Sequence, residues 1–165
     1  MDFSEVYQRY VHDVHRFSLF ISGDPALADD LTAETFVHAF WGASDLRVDT
    51  VKAYLLAIAR NLYRNVMARE RRALPIDKMP EPAAPNPSPE RSALGRQALS
   101  NTLRAIQKLP DQQREALVLA IDQDLRYEQI AAILGCSVAA VKVRIHRARL
   151  QLKRDLEYKE KTWTT

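Results

Sequence analysis

The chain has 165 residues, 47% of them apolar, with 24 Lys and Arg against 21 Asp and Glu for a net charge of +3. That length suits one domain or two small ones, and the lack of any apolar run of about 18 residues excludes a membrane span and membrane contact of its own. The single cysteine, Cys136, excludes an intramolecular disulfide, and the start Met1-Asp-Phe-Ser-Glu5 lacks the charged and apolar segments of a secretory signal, so a reducing cytoplasm is the expected location.

Helix is expected almost everywhere. Phe3, Val6, Tyr7, Tyr10, Val11, Val14, Phe17 and Ile21 recur at three- and four-residue steps, the mark of an amphipathic first helix. Gly23-Asp24-Pro25 ends it, and Pro25 suits the first turn of the next. The second helix runs to about Trp41. Leu27 and Leu31 share one of its faces, while Ala33, Phe36, Val37 and Phe40 lie toward another. A helix apolar on two faces is either fully buried or also docks on a partner, and on the residues alone burial is favoured. Residues 1–49 carry nine acids against three bases, so this block calls for a partner other than nucleic acid.

The third helix starts near Asp49-Thr50 and extends to about Arg72, with a core face of Val51, Leu55, Ile58, Leu62 and Val66. Residues 50–74 carry six bases and one acid. Opposite the core face, Arg60, Arg64, Met67 and Arg71 fall within about 60° of one another on a helical wheel. Tyr54, Trp41 and Tyr63 put aromatic rings nearby. Arginines beside aromatics suit single-stranded nucleic acid, whose bases can stack; an ordinary exposed face is the plainer alternative.

Six of the eight prolines then fall between Pro75 and Pro89. This stretch reads as an extended linker without a core of its own. At about 3.1 Å per residue it reaches roughly 45 Å, more than one turn of DNA. The expected fold class is therefore all-α, with two small helical domains, 1–73 and 92–165, joined by a Pro-rich linker, 74–91.

In the second half, a helix from about Glu90 ends before Leu109-Pro110, and Pro110 suits the first turn of the next. A short helix from Tyr127 to Leu134 follows. Gly135 fits a left-handed C-terminal cap, and Ser137 fits the N-cap of a final helix. Two helices around a tight turn make a helix-turn-helix. Val141, Ile145, Ala148 and Leu152 form its inward seam. Ser137, Ala139, Ala140, Lys142, Val143, Arg144, His146, Arg147 and Arg149 are the candidate DNA contacts, the early ones in the major groove and the later arginines more often on phosphates. Residues 141–154 carry six bases and no acid. A solvated basic helix in a small bundle is the bland alternative. Cys136, in the turn, reads as a small packed residue. No glycine-rich phosphate loop, metal-spaced Cys/His cluster or nucleophile motif is present, so no catalytic residue, metal or cofactor is expected, and the chain is not read as an enzyme.

In this order the segments resemble the extracytoplasmic-function (ECF) sigma factors of the bacterial sigma-70 family. Gly23-Asp-Pro-Ala-Leu-Ala-Asp-Asp-Leu-Thr-Ala-Glu-Thr-Phe36 is similar to the family's segment that binds core RNA polymerase. Ala53-Tyr-Leu-Leu-Ala-Ile-Ala-Arg-Asn-Leu-Tyr-Arg-Asn-Val66 resembles its minus-10 segment. Leu109-Pro-Asp-Gln-Gln-Arg-Glu-Ala-Leu117, Tyr127-Glu-Gln-Ile-Ala131 and Val141-Lys-Val-Arg-Ile-His-Arg-Ala-Arg149 resemble its minus-35 domain. The resemblance implies that Asp29, Asp30, Glu34 and Phe36 dock on the polymerase or support docking. It implies that Arg60, Asn61 and Arg64 engage the minus-10 element, that the helix from Ser137 reads the minus-35 duplex, and that an anti-sigma factor is a further partner. Trp41 lies just before the family's base-capturing loop.

Three positions depart from the family pattern. Asn65 stands where aspartate is frequent. Arg126 stands for a capping serine, leaving Asp124 as the expected cap. Val143 stands for a frequent serine and shifts the expected promoter preference. The competing functions are a dimeric helix-turn-helix regulator that acts without polymerase and an RNA-binding adaptor that uses the Arg60 stripe.

Overall fold

The structure, a computed structural model, describes residues 2–42, 50–73 and 93–163, with side chains of the last span from 95 to 157. The chain divides into two compact units, Met1–Ala83 and Ala84–Thr165. The described residues form seven α-helices and no strand. The Pro-rich stretch at 74–91 and the segment 43–49 lie outside the described residues.

Unit 1 is a three-helix bundle of α1 (Phe3–Ser22), α2 (Pro25–Trp41) and α3 (Val51–Ala73), each packed on the other two. Local chemistry sets the boundaries. The Asp2 carboxylate accepts the Glu5 N–H at 2.9 Å and opens α1. Gly23, at φ 67°, closes it in the left-handed region, donating its N–H to Leu19 O. Asp24 accepts the N–H groups of Ala26 and Leu27 at 3.0 and 3.3 Å, and Pro25 follows at the start of α2. Thr50 opens α3 by accepting the Ala53 N–H at 3.2 Å.

The bundle core holds Val14, Ile21, Leu31, Phe36, Leu55 and Leu56, all essentially buried. Each such side chain contributes about 1.5–3 kcal/mol. Polar groups that reach this core are handled locally: Thr32 and Thr35 donate their hydroxyls to Ala28 O and Leu31 O, one turn back. At the edges, His15 meets Asp29 at 3.0 Å across α1 and α2, and Lys52 meets Asp13 at 3.5 Å across α3 and α1.

Unit 2 contains α4 (Ala93–Gln107), α5 (Asp111–Ile121), α6 (Tyr127–Leu134) and α7 (Val138–Trp163). Helix α7 packs on each of the other three. Leu103, Ile106, Leu109, Leu119, Ile130 and Ile145 fill the centre. Arg114 closes the turn between α4 and α5. Its guanidinium donates to Gln107 O and Leu109 O at 3.3 and 2.9 Å and pairs with Asp111 at 3.2 Å. Pro110 is the N-cap residue of α5 rather than its first helical residue, one position from the expected place. The N-terminal bond of α6 comes from Gln129, whose Oε1 accepts the Arg126 N–H at 2.9 Å. Arginine has no acceptor to serve as a cap, so the reciprocal partner three residues on does the capping.

Candidate nucleic-acid interface

The α6–α7 pair is built by two residues at its turn. Gly135 adopts φ 65° and ψ 39° and donates its N–H to Ala131 O. A β-carbon at that φ is strained, whatever the surrounding space. Ser137 Oγ then accepts the Ala140 N–H at 3.1 Å and starts α7. The two helix axes cross at 96°, the geometry of a helix-turn-helix. Cys136 sits half-buried in the turn.

Val141, Ile145 and Ala148 are 0%, 2% and 0% exposed and form the seam toward α5 and α6. Away from that seam, Ser137, Ala139, Lys142, Val143, His146, Arg147 and Arg149 are all exposed, and Ala140 and Arg144 are half-buried. The eight that lie on α7 occupy the arc the seam leaves uncovered, and Ser137 stands at the helix's N-terminal end. Their arrangement is layered. Ala139, Val143 and Leu150 fall within about 40° of one another, opposite the seam. Lys142, His146 and Arg149 flank this line on one side; Arg147 and Arg154 flank it on the other. A cleft of about 490 Å³ runs beside it, between Pro110, Gln112 and Gln113 at the start of α5 and Ala140, Val143 and Arg147 on α7. A convex helix with cations on both flanks suits the major groove, whose walls are phosphates.

Unit 1 departs from expectation at Arg60. Arg60 is only 9% exposed, whereas Asn61 and Arg64 are exposed. The reason is packing from two sides. Helices α1 and α2 both cover α3, so every residue from Leu55 to Arg60 is buried, and so are Leu62 and Tyr63. Met67 is half-buried. The accessible stripe is rotated from the expected one and runs through Asn61, Arg64, Asn65 and Arg72. Tyr54 is half-buried, while Trp41 is 84% exposed.

On α2, Phe36 is 2% exposed and meets the Tyr7 ring edge-on at 4.9 Å, in keeping with the buried apolar face expected there. It is a core residue that holds α2 against α1, not a surface contact. Asp29, Asp30 and Glu34 are exposed, as expected. Sequence reasoning missed Val37, 47% exposed, as a surface position sharing a face with Asp30, Glu34 and Trp41. The signal was available: 30, 34, 37 and 41 follow the three-and-four step of one helical face. Phe3 and Phe40, 50% and 40% exposed, stack edge-on at 4.5 Å and extend the apolar surface toward α1.

Among the described residues, no group of three or more His, Cys, Asp and Glu is arranged to hold a metal ion, and no single helix is long and apolar enough to cross a membrane.

Two all-α units, one containing a helix-turn-helix with a cationic outer side, define a helical DNA-binding protein. Residues 6–73 match Sigma-70 region 2, and residues 99–152 match Sigma-70 region 4. The chain is 32% identical over 156 residues to the ECF RNA polymerase sigma factor SigM of Bacillus subtilis, covering 93% of this chain and 94% of that one. It is 33% identical over 153 residues to ECF sigma factor SigE of Mycolicibacterium smegmatis, covering 90% of this chain and 59% of that longer relative. The sigma factor RpoE of Bartonella quintana, solved in complex with the anti-sigma factor NepR, matches with a TM-score of 0.77 and 27% identity, covering 94% of this chain and 97% of that one. The chain belongs to the ECF RNA polymerase sigma factors. The reading as an operator-binding dimer that acts without polymerase is not favoured.

Proposed function

We propose a division of labour between the two units of this sigma factor. Residues 1–73 bind core RNA polymerase and the minus-10 element, residues 92–165 bind the minus-35 duplex, and 74–91 link them. The observation that carries this is the pairing of an acidic, partly apolar α2 surface in one unit with a cationic reading helix in the other.

On α2, Asp29, Asp30 and Glu34 meet a basic surface of the polymerase, with Val37 and Trp41 supplying the apolar part of the contact. Phe36 acts from beneath by fixing α2. On α3, Asn61 and Arg64 engage the minus-10 strand, and the buried Arg60 positions them. On α7, Ala139, Ala140 and Val143 face base edges, and Ser137, Lys142, Arg144, His146, Arg147 and Arg149 hold the duplex through polar and charged contacts.

Opening needs no covalent step. Binding unpaired bases better than paired ones shifts the population toward the open state, by no more than the difference in affinity. The chain thus acts without being an enzyme, in the cytoplasm where its polymerase works. The complex of the Bartonella relative with NepR supports an anti-sigma factor as a further partner. Multi-round transcription with purified bacterial core polymerase and a promoter library tests the reading. Initiation only when the chain is added is expected; tight duplex binding by the chain alone with no initiation sinks it.

A further inference from the structure

The outer line of α7 is apolar where DNA-reading helices usually carry hydrogen-bonding side chains. Guanine is commonly read by Arg or Lys and adenine by Asn or Gln, each through two hydrogen bonds in the major groove. Here Ala139 and Val143 occupy the outermost positions of the first two turns, both exposed, Val143 by 46%. Neither has a polar atom on its side chain. The nearest cations are Arg147, about 40° around the helix from Val143 and one turn further on, and Lys142 and half-buried Arg144, about 100° to either side. The backbone contacts are thus charged and the base contacts are methyl groups.

One base presents a matching surface in the major groove: thymine, through its C5-methyl. Cytosine offers an amino donor there and guanine two acceptors. Opposite an apolar tip these groups lose water without gaining a partner. We propose that Ala139 and Val143 select thymine through its methyl group, so that the minus-35 element of this protein carries A·T pairs where those two residues reach the groove. The proposal rests on reading α7 as the minus-35 helix.

The test uses the full chain in holoenzyme with bacterial core polymerase. A promoter library randomised over the minus-35 region is first selected for initiation. Each thymine of the selected element is then replaced by deoxyuridine, which keeps the pairing and hydrogen-bonding groups and removes only the methyl. Promoter binding should weaken roughly fourfold at one or two positions, the effect of one buried methyl-sized group. In holoenzyme carrying Val143→Ser, at least one of those penalties should vanish, and Val143→Ala, which stays apolar, should retain part of it. Far-ultraviolet circular dichroism confirms that both variants fold.

Three results overturn the assignment. Selection can return G·C pairs throughout. Deoxyuridine can be tolerated at every position while initiation persists. Every penalty can survive undiminished in Val143→Ser, which traces them to DNA stiffness rather than to that residue. The first two leave the sigma reading intact. No initiation from any library member, with the holoenzyme assembled or not, brings down the sigma reading and this inference together.

Discussion

Helix α7 and helix α3 carry the two basic stripes of the chain, yet they hide and expose their residues by different rules. On α7 the buried seam is narrow: Val141, Ile145 and Ala148. Every other position between Ser137 and Leu150 except half-buried Val138, Ala140 and Arg144 is exposed. On α3 the buried arc runs around much of the helix, because α1 and α2 press on it from two directions. Apart from half-buried Arg144, the basic residues of α7 between Ser137 and Leu150 face solvent, while a basic residue on α3 can belong to the core. The same charge at the same spacing has a different meaning in the two units.

Five substitutions break or sharpen this contrast. The largest effect is expected in unit 1 from Phe36→Ala, which should cost about 3–5 kcal/mol of its stability by opening a cavity between α1 and α2. Urea unfolding followed by circular dichroism measures it. Trp41→Ala, on the exposed side of the same helix, should change stability by less than about 0.5 kcal/mol and weaken binding to core polymerase instead. If the two variants behave alike, the division of α2 into a core side and a docking side is wrong.

Next comes Arg60→Ala. Losing a buried charged group with its bonds should cost about 1.5–3 kcal/mol, whereas Arg64→Ala should leave stability within about 0.5 kcal/mol of wild type. Arg64→Ala should instead slow promoter opening, followed by fluorescence of 2-aminopurine placed in the minus-10 region. Equal stability losses at both positions would erase the distinction drawn for α3.

The smallest effect on folding is expected on α7. Arg147→Ala should leave the unfolding curve nearly unchanged and reduce the slope of log binding constant against log salt by about one. An unaltered slope in a salt titration of promoter binding removes Arg147 from the phosphate contacts.

What was legible in the sequence follows from the same contrast. Turn chemistry was local and read correctly: Gly23, Asp24, Pro25, Gly135 and Ser137 all cap or start helices where their chemistry suggests. The exposed side of α7 was legible because one seam faces one neighbourhood, and a single periodic stripe fixes the rest. Arg60 was not, because a helix wedged between two others buries two overlapping stripes, and a wheel built on one of them misassigns the residues of the second. The cap of α6 was missed for a simpler reason. Asp124 and Arg126 precede the helix, where a cap is ordinarily found, while the bond comes from Gln129 inside its first turn.

The separation of Ala139 and Val143 from Val141 and Ile145 has a consequence for descent as well as for binding. The positions that hold α7 in place and the exposed positions proposed to meet DNA alternate along the chain but never share a side chain. A lineage can exchange the outer residues one codon at a time and acquire new target genes while the scaffold stays intact. Paralogues that diverge in which genes they switch on need not pass through an unfolded ancestor.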